Sequence, residues 1–180
     1  MKATGIVRRV DDLGRVVIPK ELRRTLRIRE GDPLEIFTEQ GGAVIFKKYY
    51  PLGEQTELAE GLCQALLRHS GFPAAVCDRD RVIAAAGPGR QELTDRLLAP
   101  ALLRRLEERE RFCPRGQGLP IPLAEGSGTV LGAAVPILAG GDLMGGVLLG
   151  ADPARGRWPG ESELRLLELA ASLLGRRLED

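Results

Sequence analysis

Aromatic residues are scarce in this chain of 180 residues, at 4%, so its cores must be built from Leu, Val, Ile and Ala. Long apolar runs are lacking too. The longest, VLGAAVPILAGG, has 12 residues and contains Pro136, which is too short to span a bilayer. Charged residues occupy the N-terminus where a signal peptide has its apolar core. These absences predict a cytoplasmic protein with no membrane partner.

Cysteine and histidine are equally sparse, with three cysteines and one histidine. Cys63, Cys77 and Cys113 lack the paired spacing of a metal site, and their odd number suits a reducing compartment. Cys63 and Cys77 lie in apolar segments and are interpreted as buried small hydrophobes. Cys113 has Arg111 and Arg115 nearby, which favour a thiolate, but no second cysteine is close in sequence. We therefore expect no enzyme, no metal and no cofactor.

The net charge of +1 conceals an asymmetry between the two ends of the chain. Residues 1–50 hold 11 Lys/Arg against 7 Asp/Glu, a net charge of +4, whereas residues 51–180 hold 15 against 18, a net charge of −3. Within residues 1–29 the count is 9 against 3. A basic end on a mildly acidic body indicates that only this end meets a polyanion, although a plain solvated surface is the alternative.

The first 50 residues read as short β-strands around one small helix. Residues 4–10 and 15–18 are β-branched, Gly14 can supply a turn between them, and Pro19 opens a helix over KELRRTL. The segments LEIFTE and AVIFKK form a hairpin through Gly41-Gly42. A unit of this size buries little core alone, so we expect two copies to share one core.

Arginine is concentrated on these short elements, and its planar fork can hold phosphate or guanine with two bonds. Two copies would carry ten such side chains on a compact unit, which is the footprint of a nucleic-acid-binding protein. No aromatic residue lies in 1–30, so stacking on single strands is disfavoured and duplex DNA fits better. The predicted DNA-binding residues are Arg8, Arg9, Arg15, Arg23 and Arg24.

The rest of the chain alternates helices with apolar strands. Thr56 can cap a helix over 57–69, PAAVCDRDRVIAAAG reads as two strands around a tight turn, and 91–111 is helical with a break at Pro100. GLPIPLAE is a plausible strand, and TVLGAAVPIL with LMGGVLLGAD forms a hairpin.

The last helix, 161–178, has two apolar seams. One seam contains Leu167 and Leu174, and the other contains Leu166, Leu169 and Leu173. We expect helices 56–69 and 161–178 to pair with their copies in another chain as a bundle, with Leu167 and Leu174 in the interface, giving a homotetramer. A helix buried deeply in its own domain is the alternative.

The stretch TGIVRRVDDLGRVVIPKELRRTL closely resembles the swapped-hairpin DNA-binding domain of the AbrB transition-state regulators. The resemblance implies a dimer and places the family's basic DNA contacts on the five arginines named above. Arg9 stands where lysine is common, and Arg27 stands where glycine is frequent. The hairpins CDRDRVIAAAG and VPILAGGDLMGGVLLG look like those of GAF domains, in which Gly145 and Gly146 would allow close approach of a helix or ligand. The whole chain resembles sporulation regulators that join these two domains.

The predicted fold is α+β, with a mostly-β AbrB/MazE-like swapped-hairpin dimer and a GAF-like domain whose antiparallel sheet is flanked by helices. We assign the DNA-binding domain to 1–50, a linker to 51–55, and a sensing or oligomerising domain to 56–180. The predicted function is regulation of forespore genes through duplex DNA, with room for an unknown small-molecule effector in the GAF-like domain. The alternatives are an antitoxin that neutralises a toxin, and a cysteine-dependent GAF reductase.

Overall fold

A computed structural model describes residues 5–179. The chain divides into two units, with the boundary in the sequence between Tyr49 and Tyr50. The N-terminal unit contains helix α1 (Lys20–Thr25) and an antiparallel hairpin of β1 (Leu34–Glu39) and β2 (Ala43–Lys48). Both match the predicted segments. Gly41 and Gly42 connect the strands with φ of 106° and 83°, a conformation that glycine adopts without a steric penalty.

Residues 5–18, predicted as two strands with Thr4 outside the described residues, form no strand within the single chain. They flank a turn closed by a hydrogen bond from the Asp11 amide to the Arg15 carbonyl, 3.0 Å long. Short β-branched segments become strands only when a neighbouring backbone completes their hydrogen bonds. Within the described part of a single chain, no other strand pairs with these two segments.

The N-terminal unit has almost no interior of its own. Within residues 5–49, Pro19 is the one buried residue, and the apolar core of the described chain begins at Leu52. Val7, Leu13 and Val17 are 84%, 70% and 71% exposed. Large apolar side chains exposed together in this way are typical of a surface that another chain covers.

The structure differs from the sequence prediction at residues 51–55. The predicted linker is a 3-10 helix (Pro51–Gln55), and Leu52 within it is fully buried in the C-terminal core. The segment is ordered because Leu52 packs where the strand over 142–150 has a glycine, Gly145. Thr56 is the first residue of the next helix rather than its cap, and its hydroxyl donates to the Gly53 carbonyl over 2.7 Å.

The C-terminal unit is built on a four-stranded antiparallel sheet in the order β4-β3-β6-β5. Its strands are β3 (Ala74–Cys77), β4 (Val82–Ala86), β5 (Leu131–Ala139) and β6 (Asp142–Gly150). The hairpins predicted within 73–87 and 129–152 are both present, and they pair over 74–86 and 131–150.

Helices cover both faces of this sheet. The helices are α2 (Thr56–Ser70), α3 (Arg90–Leu93), α4 (Pro100–Glu107) and α5 (Glu161–Arg177). Alternate residues of β3 point to opposite sides: Val76 joins the core under α2 and α5, and Ala75 joins the core under α3 and α4. This is the predicted architecture of an antiparallel sheet flanked by helices.

Two predicted elements are shorter than expected. The predicted helix 91–111 is interrupted over 94–99, between α3 and α4, and not at Pro100 alone. GLPIPLAE makes isolated bridges, such as Pro122 with Val130, instead of a strand, because Pro120 and Pro122 lack the amide hydrogens that a ladder requires. Over residues 5–179, no helix combines the length and the apolar character needed to cross a membrane.

Candidate nucleic-acid interface and oligomer contact

Arg15 is held at the end of the turn by the carboxylate of Asp11. The Oδ1 atom of Asp11 accepts the amides of Leu13 and Arg15 at 3.0 and 2.7 Å, and its Oδ2 accepts Nε of Arg15 at 2.8 Å. Gly14, at φ 77°, lets the chain reverse inside this loop. These N–H groups, those of Arg15 foremost, lower the pKa of the Asp11 carboxyl below its usual value, so it is ionised at neutral pH.

Arg8 and Arg9 lie on the extended segment that enters this turn, and both are exposed. Arg8 donates from Nη1 to the carbonyl of Val7, its own neighbour, over 3.2 Å. Because the turn folds the segment back, Arg8 and Arg9 lie on one arm and Arg15 begins the other.

Arg23 and Arg24 occupy the last turn of α1 and are exposed. The helix begins after Pro19, whose carbonyl accepts the Arg23 amide at 2.9 Å. The chain leaves the helix through Arg27, which has a left-handed φ of 53°. Glycine adopts this conformation most easily, which explains why AbrB-like domains often have glycine at this position.

The C-terminal end of α1 is fastened to the hairpin by Lys48. Its Nζ donates to the Arg27 carbonyl at 2.9 Å and lies 3.3 Å from Asp32, with the two charged side chains only 10% and 3% exposed. This ion pair, whose side chains are largely covered, fixes the exit of the arginine-bearing helix. Lys48 is thus engaged inside the unit, in contrast to Arg23 and Arg24.

The structure therefore places all five predicted arginines at exposed positions of the N-terminal unit. Within the described residues, Arg15 is the one member of this set in an ion pair, with a side chain that remains 69% exposed. Sequence reasoning missed Asp11, because an acid in a basic segment looks like a solvated charge. The sequence Asp-Asp-Leu-Gly could have indicated it, because an aspartate side chain often accepts backbone amides in a turn that contains glycine.

The three cysteines occupy buried or half-buried positions of the C-terminal unit. Cys63 and Cys77 are buried; burial raises the pKa of Cys63 to about 12 and also raises that of Cys77. Cys113 is half-buried, and its thiol donates to the Pro159 carbonyl over 3.3 Å. Across residues 5–179, no cluster of His, Cys, Asp and Glu could hold a metal ion.

The predicted bundle contact through Leu167 and Leu174 is wrong. Both side chains are fully buried against the domain's own sheet, so this seam of α5 serves the internal core. The second seam lines an open apolar groove of about 310 Å³ between α2 and α5. Its lining residues are Leu62, Ala65, Leu66, His69, Leu166, Leu169, Ala170 and Leu173.

The two glycines expected to allow close approach do so within the fold. A Cβ atom at Gly145 would overlap the Cys77 carbonyl oxygen of the adjacent strand, and one at Gly146 would lie 2.6 Å from a methyl carbon of Leu106 on α4. Gly145 therefore allows close approach of strand β3, and Gly146 allows close approach of helix α4.

Two family models match the chain, one for each unit. Residues 54–179 match the model described as Stage V sporulation protein T C-terminal, transcription factor. Residues 7–51 match the model described as Antidote-toxin recognition MazE, bacterial antitoxin.

Similar proteins cover the chain in the same two parts. Stage V sporulation protein T of Bacillus subtilis (strain 168) is 41% identical over 99% of both chains. Transition state regulatory protein AbrB of the same organism is 65% identical over 51 residues, which are 28% of this chain and 52% of AbrB. The type II free methionine-R-sulfoxide reductase of Thermoplasma acidophilum is 14% identical, with a TM-score of 0.52 over 71% of this chain and 94% of that one, a likeness of fold alone. The predicted AbrB-like and GAF-like fold classes are confirmed.

Proposed function

The chain belongs to the family of stage V sporulation protein T, and we propose that it regulates transcription during sporulation, including that of forespore genes, by binding duplex DNA. The observation that carries the proposal is the N-terminal unit, where 65% identity to a transition-state regulator coincides with exposed arginines on a turn and a short helix. Its site of action is the cytoplasm, where the chromosome lies.

We assign DNA contact to Arg8, Arg9, Arg15, Arg23 and Arg24. All five are exposed, and four of them make no ion pair with any described residue, which leaves their charge available to phosphates. So few side chains can read only a few base edges. Much of the sequence preference therefore comes from the shape and deformability of the duplex.

The N-terminal unit acts as a homodimer with one shared core. The support is the exposure of its apolar side chains, among them Val7, Val17 and Ile36, in a unit where Pro19 is the one buried residue between positions 5 and 49. Pairing with a second copy would give the extended segments 5–10 and 15–18 both the backbone partners and the apolar cover that one chain lacks.

The C-terminal unit joins two such dimers into a homotetramer through the groove between α2 and α5. Within the groove, Leu169 and Leu173 are 61% and 49% exposed. Leu58 on α2, outside the groove lining, is 39% exposed. Two helices presenting apolar side chains side by side offer a surface that a second copy of the same pair can cover.

Two alternative functions receive less support. An antitoxin role would use the N-terminal unit, matched by the MazE model over residues 7–51, but it gives no purpose to the folded unit that follows. A cysteine-dependent reductase needs an accessible thiolate, whereas burial raises the pKa of Cys63 and Cys77 well above neutrality.

The proposal is tested by selection from pools of random DNA. The purified full-length chain should retain duplexes and enrich particular sequences, with deformable steps among them, over several rounds. Retention of single strands in preference to duplexes, or of neither pool at moderate salt, would overturn the proposed function.

A further inference from the structure

We propose that Asp11 is a positioning residue for DNA recognition, which holds the guanidinium of Arg15 by Nε and directs its two remaining amino groups towards the duplex. This inference rests on the proposed DNA-binding function. It assigns a task to an acidic residue in the most basic part of the chain.

The two carboxylate oxygens of Asp11 have separate partners. Oδ1 accepts the backbone amides of Leu13 and Arg15 and so builds the turn. Oδ2 accepts Nε–H of the Arg15 side chain at 2.8 Å. One residue therefore determines both the path of the backbone and the direction of the arginine that follows it.

A carboxylate beside a polyanion normally weakens binding, because it repels phosphates. Asp12, the next residue, shows the ordinary case: its carboxylate accepts no hydrogen bond from any described residue. Asp11 differs because its charge is neutralised by the arginine that it holds. The ion pair therefore reduces the repulsion between Asp11 and the phosphates, and it also fixes the orientation of the Arg15 side chain.

A fixed guanidinium suits DNA better than a free one. An arginine side chain loses rotamer freedom when it binds, and a side chain already held in place loses less. With Nε engaged, the two Nη groups make no hydrogen bond to the described part of the chain and form a fork that can meet a phosphate or the O6 and N7 atoms of guanine.

The test measures duplex affinity of the full chain by fluorescence anisotropy at low salt. In Asp11→Asn, Oδ1 still accepts the backbone amides, but the amide nitrogen replaces Oδ2 and cannot accept Nε–H. We expect binding about fivefold weaker, since each of two copies loses one exposed charged contact. The matched control, Asp12→Asn, should bind about twofold tighter, because it only removes repulsion.

The same substitution in an Arg15→Ala background separates positioning from a general effect on the turn. There Asp11→Asn should tighten binding as Asp12→Asn does, because no arginine remains to be held. An equal loss in both backgrounds would assign Asp11 to the turn alone, and a gain in both would make it merely repulsive; either result overturns the inference.

Asp11→Ser supplies a second variant if the asparagine variant does not fold. Its hydroxyl can accept a turn amide but offers no second oxygen to Nε, so it should show the same dependence on Arg15. If Arg15→Ala weakens duplex binding but Asp11→Asn leaves it unchanged, this inference is rejected and the proposed function stands. A wild-type chain that binds no duplex would reject both.

Discussion

Leu167 and Leu169 stand two residues apart on α5 and face opposite environments. The Leu167 side chain is fully buried against the sheet of its own domain, whereas that of Leu169 is 61% exposed in the groove beside α2. The difference separates the seam of α5 that folds the domain from the seam that is available to a second copy.

If the proposed tetramer forms through the groove, charge introduced on the exposed seam should divide it without unfolding the domain. We expect Leu169→Glu with Leu173→Glu to yield dimers by light scattering, with an unchanged circular dichroism spectrum, because an unpaired carboxylate is costly to bury in an interface. Leu119→Glu, at a leucine 91% exposed outside the groove, should leave the tetramer intact. Leu167→Glu should unfold the domain. A double variant that remains tetrameric would refute the groove as the contact.

The N-terminal unit should be stable only as a dimer. A fragment of residues 1–50 is expected to sediment as a folded dimer, and its unfolding midpoint should rise with protein concentration, because its core is completed by the partner. A folded monomer, or a midpoint independent of concentration, would contradict the shared core.

A methyl group at Gly145 should destabilise the C-terminal unit. Its Cβ would overlap the Cys77 carbonyl oxygen and lie 2.8 Å from a methyl carbon of Leu52, so the strands or the 3-10 helix must shift. We expect Gly145→Ala to lower the free energy of unfolding by about 1–3 kcal/mol. The control is Gly128→Ala, at an exposed glycine with nothing within 4 Å of a Cβ, which should change it by less than about 0.5 kcal/mol. Equal stability of both variants in urea would argue against this close approach.

Asp78 should limit stability at neutral pH. Its Oδ1 accepts the amides of Asp80 and Arg81 at 2.6 and 2.7 Å, and burial is the main cause that raises the pKa of its carboxyl. A carboxyl with a raised native pKa binds its proton more tightly in the folded state, so its charged form costs stability above that pKa and the cost fades as the pH falls.

Asp78→Asn keeps the amide acceptor and removes the charge. The free energy of unfolding should therefore rise at pH 7, and the gain over the wild type should shrink as the pH is lowered through the raised pKa. Urea unfolding at a series of pH values measures this difference. A gain that grows towards acid pH would show that the sign is wrong.

Local patterns predicted the elements that local physics controls. The hairpin of β1 and β2 followed from Gly41-Gly42 between two β-branched runs. The five arginines were chosen from their charge, their places on short elements and the family resemblance, and their contact with DNA stays a prediction. The apolar run GLPIPLAE was predicted as a strand, but Pro120 and Pro122 have no amide hydrogen to donate, and the run forms only isolated bridges.

Contacts between distant residues could not be predicted in the same way. Helical spacing shows that Leu167 and Leu174 share a face, but the sequence does not say which of two apolar faces meets the sheet. Leu52 was assigned to a linker, and its burial depends on the gap left by Gly145, more than 90 residues away. The contact of Asp11 with Arg15 depends on a turn that brings two charges together.

The most direct test of DNA binding by the arginine-bearing unit is the salt dependence of duplex affinity for the full chain. Arg23→Ala should weaken binding and reduce the slope of log K against log salt by about 2, because each dimer loses two phosphate contacts. Arg104→Ala, an exposed arginine of α4 in the other unit, should change neither quantity. The account is contradicted if Arg23→Ala and Arg15→Ala both bind with the affinity and the slope of the wild type.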